Sequence, residues 1–521
     1  MFVGIVIAKL RFYSQFRNKS CNFAFEITTM AKETDGNYNH ILKYTGIFGG
    51  VQGLNIGLGL VRNKLIALLL GPSGMGLASL FNTTVSFISQ ATNLGVAFSA
   101  VRHLSALHDE GDAERIAHYV KVIRGWELLT ALLGVLVCFV AGPFLSSTTF
   151  AWGNHSLHFM LLSPAVGMLA ITGGETAILK ALRRLGALAT IQVLSVVAAL
   201  VVSVPVYYYF GEAGIVPVIV LTSFFTMALT LRSSLRACSL QLCGARGILG
   251  EGMEMVRLGV AYTLAAVIGS GAEMIVRSYL NVVGDLDVLG LYNAGYMLTV
   301  TYAGMVFSAM EADYFPRLSA VHQDVAATND TVNRQMEVSL LILSPMLAAL
   351  IVALPLLIPL LFSGAFLPIV GMAQVAALAM YLKVLTLPVA YITLARGRSL
   401  VYLFLESAYY VVFVGLIVFG YERWGLYGTG IAVTLAHVFD YLLINGYAYQ
   451  KYGYRCSATV FRYAFVQMIL GLSAFMLPFV LSGVGYWLAG AGIALLSLGF
   501  SLRVLRRKTR LWSALTNRFR I

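Results

Sequence analysis

The residues of this chain that could do chemistry are charged and polar side chains set inside apolar runs. The stretch 45–77, TGIFGGVQGLNIGLGLVRNKLIALLLGPSGMGL, is apolar enough to span a bilayer, yet it carries Arg62 and Lys64. A cation inside a transmembrane helix is costly and marks a functional position by default. Gln52, Asn55, Gly59 and Arg62 follow steps of 3, 4 and 3, which sets them on one helix face. At about 100° per residue, Lys64 lies roughly 200° away from Arg62 and cannot share that face. The pattern predicts one wall of a wet cavity that ends in a positive charge. The alternative is that both cations sit near the outer helix end and snorkel to headgroups.

Other apolar runs carry similar groups. Asn82, Ser86, Ser89 and Asn93 share a face of the second run, where small polar residues could also act as glue between helices. Thr263, Ser270, Glu273 and Arg277 share a face of the seventh. Glu273 and Arg277 are four residues apart, so pairing lowers the cost of burying either. Lys383 lies deepest of the cations, near the middle of the tenth run. Asp440 lies at similar depth in the twelfth with His437 one turn before it, and Glu406 lies in the eleventh. Either Lys383 pairs with Asp440 or Glu406, or it joins a cationic cavity and Asp440, Glu406 or Glu273 takes a coupling proton or ion. Glu127 and Glu175 fall near helix ends and read as solvated.

These groups need an all-helical membrane protein to position them. The 521 residues are 59% hydrophobic and 11% charged, with a mean hydropathy of +0.81. A soluble domain of this length must also build a polar exterior, which this composition does not supply. Fourteen apolar runs approach the roughly 20 residues that a bilayer requires. Loops 143–156, 363–368 and 482–484 carry no Lys or Arg, whereas 31 of the 36 Lys and Arg fall in the alternate loops and the two ends. By the positive-inside rule both termini are cytoplasmic. That asymmetry also accounts for the net charge of +13 without nucleic acid as a partner. The five cysteines show no metal-ligand spacing, so no metal and no cofactor is expected. Residues 1–29 do not read as a signal peptide, and the polar stretch opening at Met30 reads as the natural start.

The first six runs recur in the second six. Arg62 maps to Arg277, Gly76-Leu77 to Gly290-Leu291 and Arg102 to Arg317, at offsets of 214 or 215. Six is even, so both halves keep one orientation, with the substrate path between them. The expected organisation is a cytoplasmic segment 1–43, a six-helix lobe 44–236, a linker 237–256, a second lobe 257–450, and two extra helices with a basic tail over 451–521.

The motif VRNKLIALLLGPSGMGLASLF, followed by TNLGVAFSAVRHLSAL, resembles the O-antigen and polysaccharide flippases of the multidrug/oligosaccharidyl-lipid/polysaccharide exporter superfamily. The resemblance covers most of residues 40–450 and is strongest over 45–106. It implies a V-shaped, two-lobed transporter of alternating access in the bacterial inner membrane. The implied substrate is undecaprenyl-pyrophosphate-linked oligosaccharide, moved from the inner to the outer leaflet. The implied partners are the lipid bilayer, the glycan polymerase and the chain-length machinery. Arg62 and Arg277 match the cationic cavity positions of such proteins. Arginine forks suit pyrophosphate oxygens, and Gln52, Asn55, Asn82, Ser86 and Asn93 offer hydrogen bonds to sugar hydroxyls.

Two rival functions are weighed against this. A multidrug exporter of the same superfamily moves organic cations and calls for an acid in the first lobe, whereas the first run has two cations and no acid. An intramembrane glycan polymerase or ligase calls for catalytic groups on a substantial outer loop, and these outer loops are short. No GxxxxGK[ST] loop is present, so ATP hydrolysis is not expected, and the chain is read as a non-enzyme with no catalytic residues.

Overall fold

The computed structural model describes residues 36–110, 112–149, 154–238 and 248–508. Residues 1–29 and the basic tail beyond 508 lie outside them. The chain divides into two compact units, Met1–Leu58 and Gly59–Ile521. In the first, the described part is the opening of helix α1 (Gly36–Thr92), in which Asn55 is buried. The site and the packing below belong to the second.

Among the described residues the chain is helical and contains no strand. After α1 come α2 (Val96–Glu110), α3 (Ala113–Thr149), α4 (Ser156–Ala181), α5 (Leu185–Phe210) and α6 (Ile215–Ala237). The second half runs α7 (Ile248–Val283), α8 (Leu286–Tyr296), α9 (Tyr302–Val321), α10 (Val325–Leu361), α11 (Val370–Ala395) and α12 (Ser399–Tyr452). It ends on α13 (Ala458–Val480) and α14 (Gly483–Lys508).

Nine helical segments among the described residues are long and apolar enough to cross a membrane. Three of them, Gly53–Thr92, Gly186–Ala237 and Ser399–Tyr452, are double-length. The 54 residues of Ser399–Tyr452 would run about 80 Å as one rod at 1.5 Å per residue, far beyond the ~30 Å hydrocarbon layer. Each double segment is broken by a glycine in the left-handed region: Gly71 at φ 65°, Gly211 at φ 55° and Gly425 at φ 57°. A side chain at such a φ is strained, so glycine is the residue that turns the chain there. At the last break the helix folds back closely, because a Cβ on Gly420 would meet the Gly428 carbonyl and a Cβ on Gly428 the Gly420 carbonyl.

The core is one apolar cluster running from Ile66 to Tyr486. A smaller cluster around Ile123, Trp126 and Ile178 lies where α2, α3 and α4 meet. The last two helices pack on α10. Gln467, Ser497 and Ser501 lock them together through a buried hydrogen-bond set. Large apolar side chains such as Leu132, Val411 and Leu488 face outward, as lipid contact requires.

Gly76 and Gly290, related by the offset of 214, pack backbone to backbone. A Cβ on Gly76 would meet the Leu286 carbonyl, and one on Gly290 the Pro72 carbonyl. Three residues on, Ser79 donates to Asn293 Oδ1 at 2.8 Å, a pair at the same offset of 214. Gly290→Val is expected to cost about 1–3 kcal/mol by overpacking. Gly415→Ala, where nothing lies within 4 Å, is expected to be neutral or to gain up to about 1 kcal/mol of helix propensity. Thermal unfolding of the purified variants checks both.

Candidate functional site

A polar cavity of about 490 Å³ lies between α1, α7 and α12. Asn82, Thr83, Ser86 and Gln90 come from α1 beyond its break; Ala265, Ala266, Gly269, Ser270 and Glu273 come from α7; Tyr402, Glu406 and Tyr410 come from α12. In each helix these residues recur every three or four positions, so one face is presented to the space. Its surface combines amides, hydroxyls, two phenols and two carboxylates. Gly269 is small because the Tyr410 hydroxyl lies where a Cβ would stand.

Beneath Glu273 the polar network continues. Arg277, itself buried, holds Glu273 through Nη1 to Oε2 at 2.9 Å. Its Nε donates to Ser79 Oγ at 3.1 Å, and its guanidinium lies 5.8 Å from the Tyr296 ring centre. Ser79 passes the chain of bonds to Asn293. The arginine therefore reaches the cavity through its carboxylate partner. A helical i, i+4 pair with this much support is already charge-balanced before any ligand arrives.

The other groups singled out in the sequence lie elsewhere. Arg62 is not among the lining residues; it faces Tyr207 of α5, and its Nε has no hydrogen-bond partner. Lys64 donates to the Leu360 carbonyl at 2.5 Å. It thereby satisfies an end-of-helix acceptor of α10, where a cation is also favoured by the helix dipole. Asn63 between them donates to the Tyr302 hydroxyl at 3.1 Å. Asn93 lies against Gly173 of α4 rather than on the cavity. The Gln52 side chain lies outside the described ones, and Asn55 belongs to the first unit.

Lys383 of α11 lies within electrostatic range of Glu406, Asp440 and His437. His437 is buried, shares Nδ1 with the Val433 carbonyl at 2.9 Å and meets the Tyr409 ring edge to face. These groups form a second polar cluster beside the cavity wall, joined to it at Glu406. Tyr402, Tyr410, Thr83 and Gln90 were not singled out in the sequence. The steps of four in Tyr402-Glu406-Tyr410 and Ser86-Gln90 are the signal that could have found them.

One expectation is overturned. Glu127 and Glu175 are not solvated: they are 3% and 2% exposed. Arg124 of α3 pairs with Glu175 of α4, Nε to Oε1 at 2.8 Å and Nη2 to Oε2 at 3.3 Å. The same guanidinium donates to Ser234 Oγ and to the Cys238 carbonyl, tying in the end of α6. A position near a helix end is wet only where nothing packs on it, and here α2, α4 and α7 surround α3.

The profile of the polysaccharide biosynthesis protein family matches residues 65–371. The chain belongs to that family. Its fold is similar to that of the lipid II flippase MurJ in an inward closed conformation, with a TM-score of 0.64 at 13% identity, covering 88% of this chain and 99% of that one. It is also similar to an inward-facing multidrug resistance MATE family transporter of the MOP superfamily, with a TM-score of 0.61 at 15% identity, covering 81% of this chain and 97% of that one. A eukaryotic MATE transporter gives 0.59 at 15% identity, covering 82% and 98%. None of the curated proteins compared matches the sequence. The polysaccharide flippase resemblance is upheld: this is a multi-pass membrane protein of a polysaccharide biosynthesis family, with a fold similar to those of MurJ and the MATE transporters.

Replacing Arg124 by Ala leaves two buried carboxylates without their cation and is expected to cost about 3–5 kcal/mol. Thermal unfolding in detergent, compared with Arg115→Ala at an exposed pair, measures it; the control is expected to change by less than about 1 kcal/mol.

Proposed function

We propose that this protein is a flippase. It moves an undecaprenyl-pyrophosphate-linked oligosaccharide, an O-antigen or related polysaccharide repeat unit, from the inner to the outer leaflet of a bacterial cytoplasmic membrane. The observation that carries the reading is the cavity of amides, hydroxyls and tyrosines between α1, α7 and α12, in a polysaccharide biosynthesis family member. Asn82, Ser86, Gln90 and Ser270 can exchange water for sugar hydroxyls without strict stereochemistry. Its volume of about 490 Å³ falls within the usual ligand-site range of roughly 300–1,000 Å³. The isoprenoid tail stays in lipid beside the bundle.

In this reading the three broken segments each cross twice, and α7 and the α8–α9 pair each add a crossing to the nine segments, giving fourteen. Both termini then lie on the side of the basic loops. The two six-helix lobes meet at Gly76 and Gly290, and that contact closes the outer end of the cavity. Arg277 is the pyrophosphate ligand: it exchanges Glu273 for phosphate oxygens, a charge-assisted pair of the same kind. Arg62 and Lys383 supply positive potential from outside the wall. A membrane potential negative inside helps expel the anion by about 2.3 kcal/mol per charge per 100 mV. Asp440, Glu406 and Glu273 are the acids at which a coupling proton or ion would bind. The glycan polymerase and chain-length machinery would receive the product.

A second reading has one observation in its favour. Glu273 and Glu406 line the cavity and no Lys or Arg does, which suits an organic cation and a multidrug exporter.

Binding to the purified protein in lipid nanodiscs separates the two. The ligands are undecaprenyl-pyrophosphate oligosaccharide and, separately, a lipophilic cationic dye. The flippase reading expects the anionic lipid to bind and Arg277→Ala to weaken it at least tenfold, about 1.4 kcal/mol. Dye binding that Glu406→Gln abolishes, with no response to the anionic lipid, overturns it.

A further inference from the structure

Among the described residues, the Arg124 cluster sets two buried acids, Glu127 and Glu175, near one guanidinium. Arg124 pairs with Glu175, and Glu127, one turn along the same helix, points into the same apolar enclosure. Glu127 Oε1 has no hydrogen-bond partner. Its carboxyl is pressed against α4, where it fills the place a Cβ on Gly174 would take. The charged groups acting on it are Glu175 from α4 and Arg124 from its own helix. At the end of α6, Arg124 reaches the Ser234 hydroxyl and the Cys238 carbonyl, and Arg184 also acts on Cys238. The side chains of Arg102 on α2 and of Glu251, Glu254 and Arg257 on α7 lie outside the described ones. A buried carboxyl with an unpartnered oxygen is costly to keep charged, and a proton neutralises it.

We propose that Glu127 is a proton-binding site, separate from the cavity, whose protonation governs how α3 packs on α4 and α7. A bare cation is disfavoured by the geometry. Hard cations need several converging oxygens, and here the Gly174 backbone already abuts the carboxyl. Among the described residues no group of three or more acids, histidines or cysteines gathers to hold an ion. The next residue, Trp126, carries the consequence outward: its indole stands where a Cβ on Gly252 of α7 would be. Loss of the proton places a second carboxylate in competition for Arg124, which loosens α3 from Glu175 and from the end of α6. The Trp126–Gly252 contact between the first-half helix α3 and the second-half helix α7 then changes with it. The proposal requires only the fold and holds for either cargo.

The test is infrared difference spectroscopy of the full-length protein in nanodiscs between acid and alkaline pH, in H2O and in D2O. The expected result is a deuterium-sensitive carboxylic-acid carbonyl band that Glu127→Gln removes. Glu175→Gln is expected to remove it too, because Arg124 then pairs with Glu127 and holds it ionised. A second readout uses the chain with Trp152, Trp424, Trp487 and Trp512 replaced by Phe, so that Trp126 alone emits. Its emission is expected to shift with pH in the parent and to stop shifting in both Glu variants. A band and a shift that persist in Glu175→Gln overturn the proposal, even if Glu127→Gln fails to fold. A Trp126 shift driven by sodium at constant pH, with none driven by protons, overturns it equally.

Discussion

Inside a bundle this apolar, a charge has little water to retreat to, and an ionisable group must find a partner or give up its charge. That constraint orders much of the polar architecture. Arg277 is held by Glu273 and Ser79. Arg124 is held by Glu175 and two acceptors at the end of α6. Lys64 is spent on a terminal carbonyl of α10. The positive charges in these three places already have partners, and the cavity wall carries acids and neutral polar groups. Of these three, Arg277 is the one whose partner, Glu273, lines the cavity.

The two halves of the chain also meet through a backbone contact. Gly76 and Gly290 bring main chain against main chain, and the Ser79–Asn293 bond stands one turn further in. Arg277 connects that junction to the cavity by its bond to Ser79. The junction and the cavity are thus parts of one hydrogen-bonded chain: a change in what Glu273 pairs with is felt at Ser79 through two bonds.

Much of this was legible in the sequence, for a definable reason. Periodicity places residues on a helix face, so Asn82, Ser86, Ser270 and Glu273 could be put on cavity-facing walls. The four-residue spacing gave the Glu273–Arg277 pair. The repeat offset singled out Gly76 and Gly290. Periodicity does not say which neighbour a face meets, and that is where the reading stopped. Arg62 shares a face with Asn55 yet lies beside Tyr207. Lys64 bonds the Leu360 carbonyl of α10, a partner that no helix-face pattern names. Glu127 and Glu175 were placed in water because they fall near helix ends, but the 37-residue α3 is enclosed there by α2, α4 and α7. Tertiary contact decided each of these, and a one-dimensional pattern does not contain it.

The glycine breaks at Gly71, Gly211 and Gly425 bear on how the protein is made. Each joins two helical stretches within one long apolar segment by a connection of a few residues. A tight turn of this kind couples the two halves, so that neither can be placed in lipid independently of the other. A side chain at any of these three glycines would strain the turn on which that coupling depends.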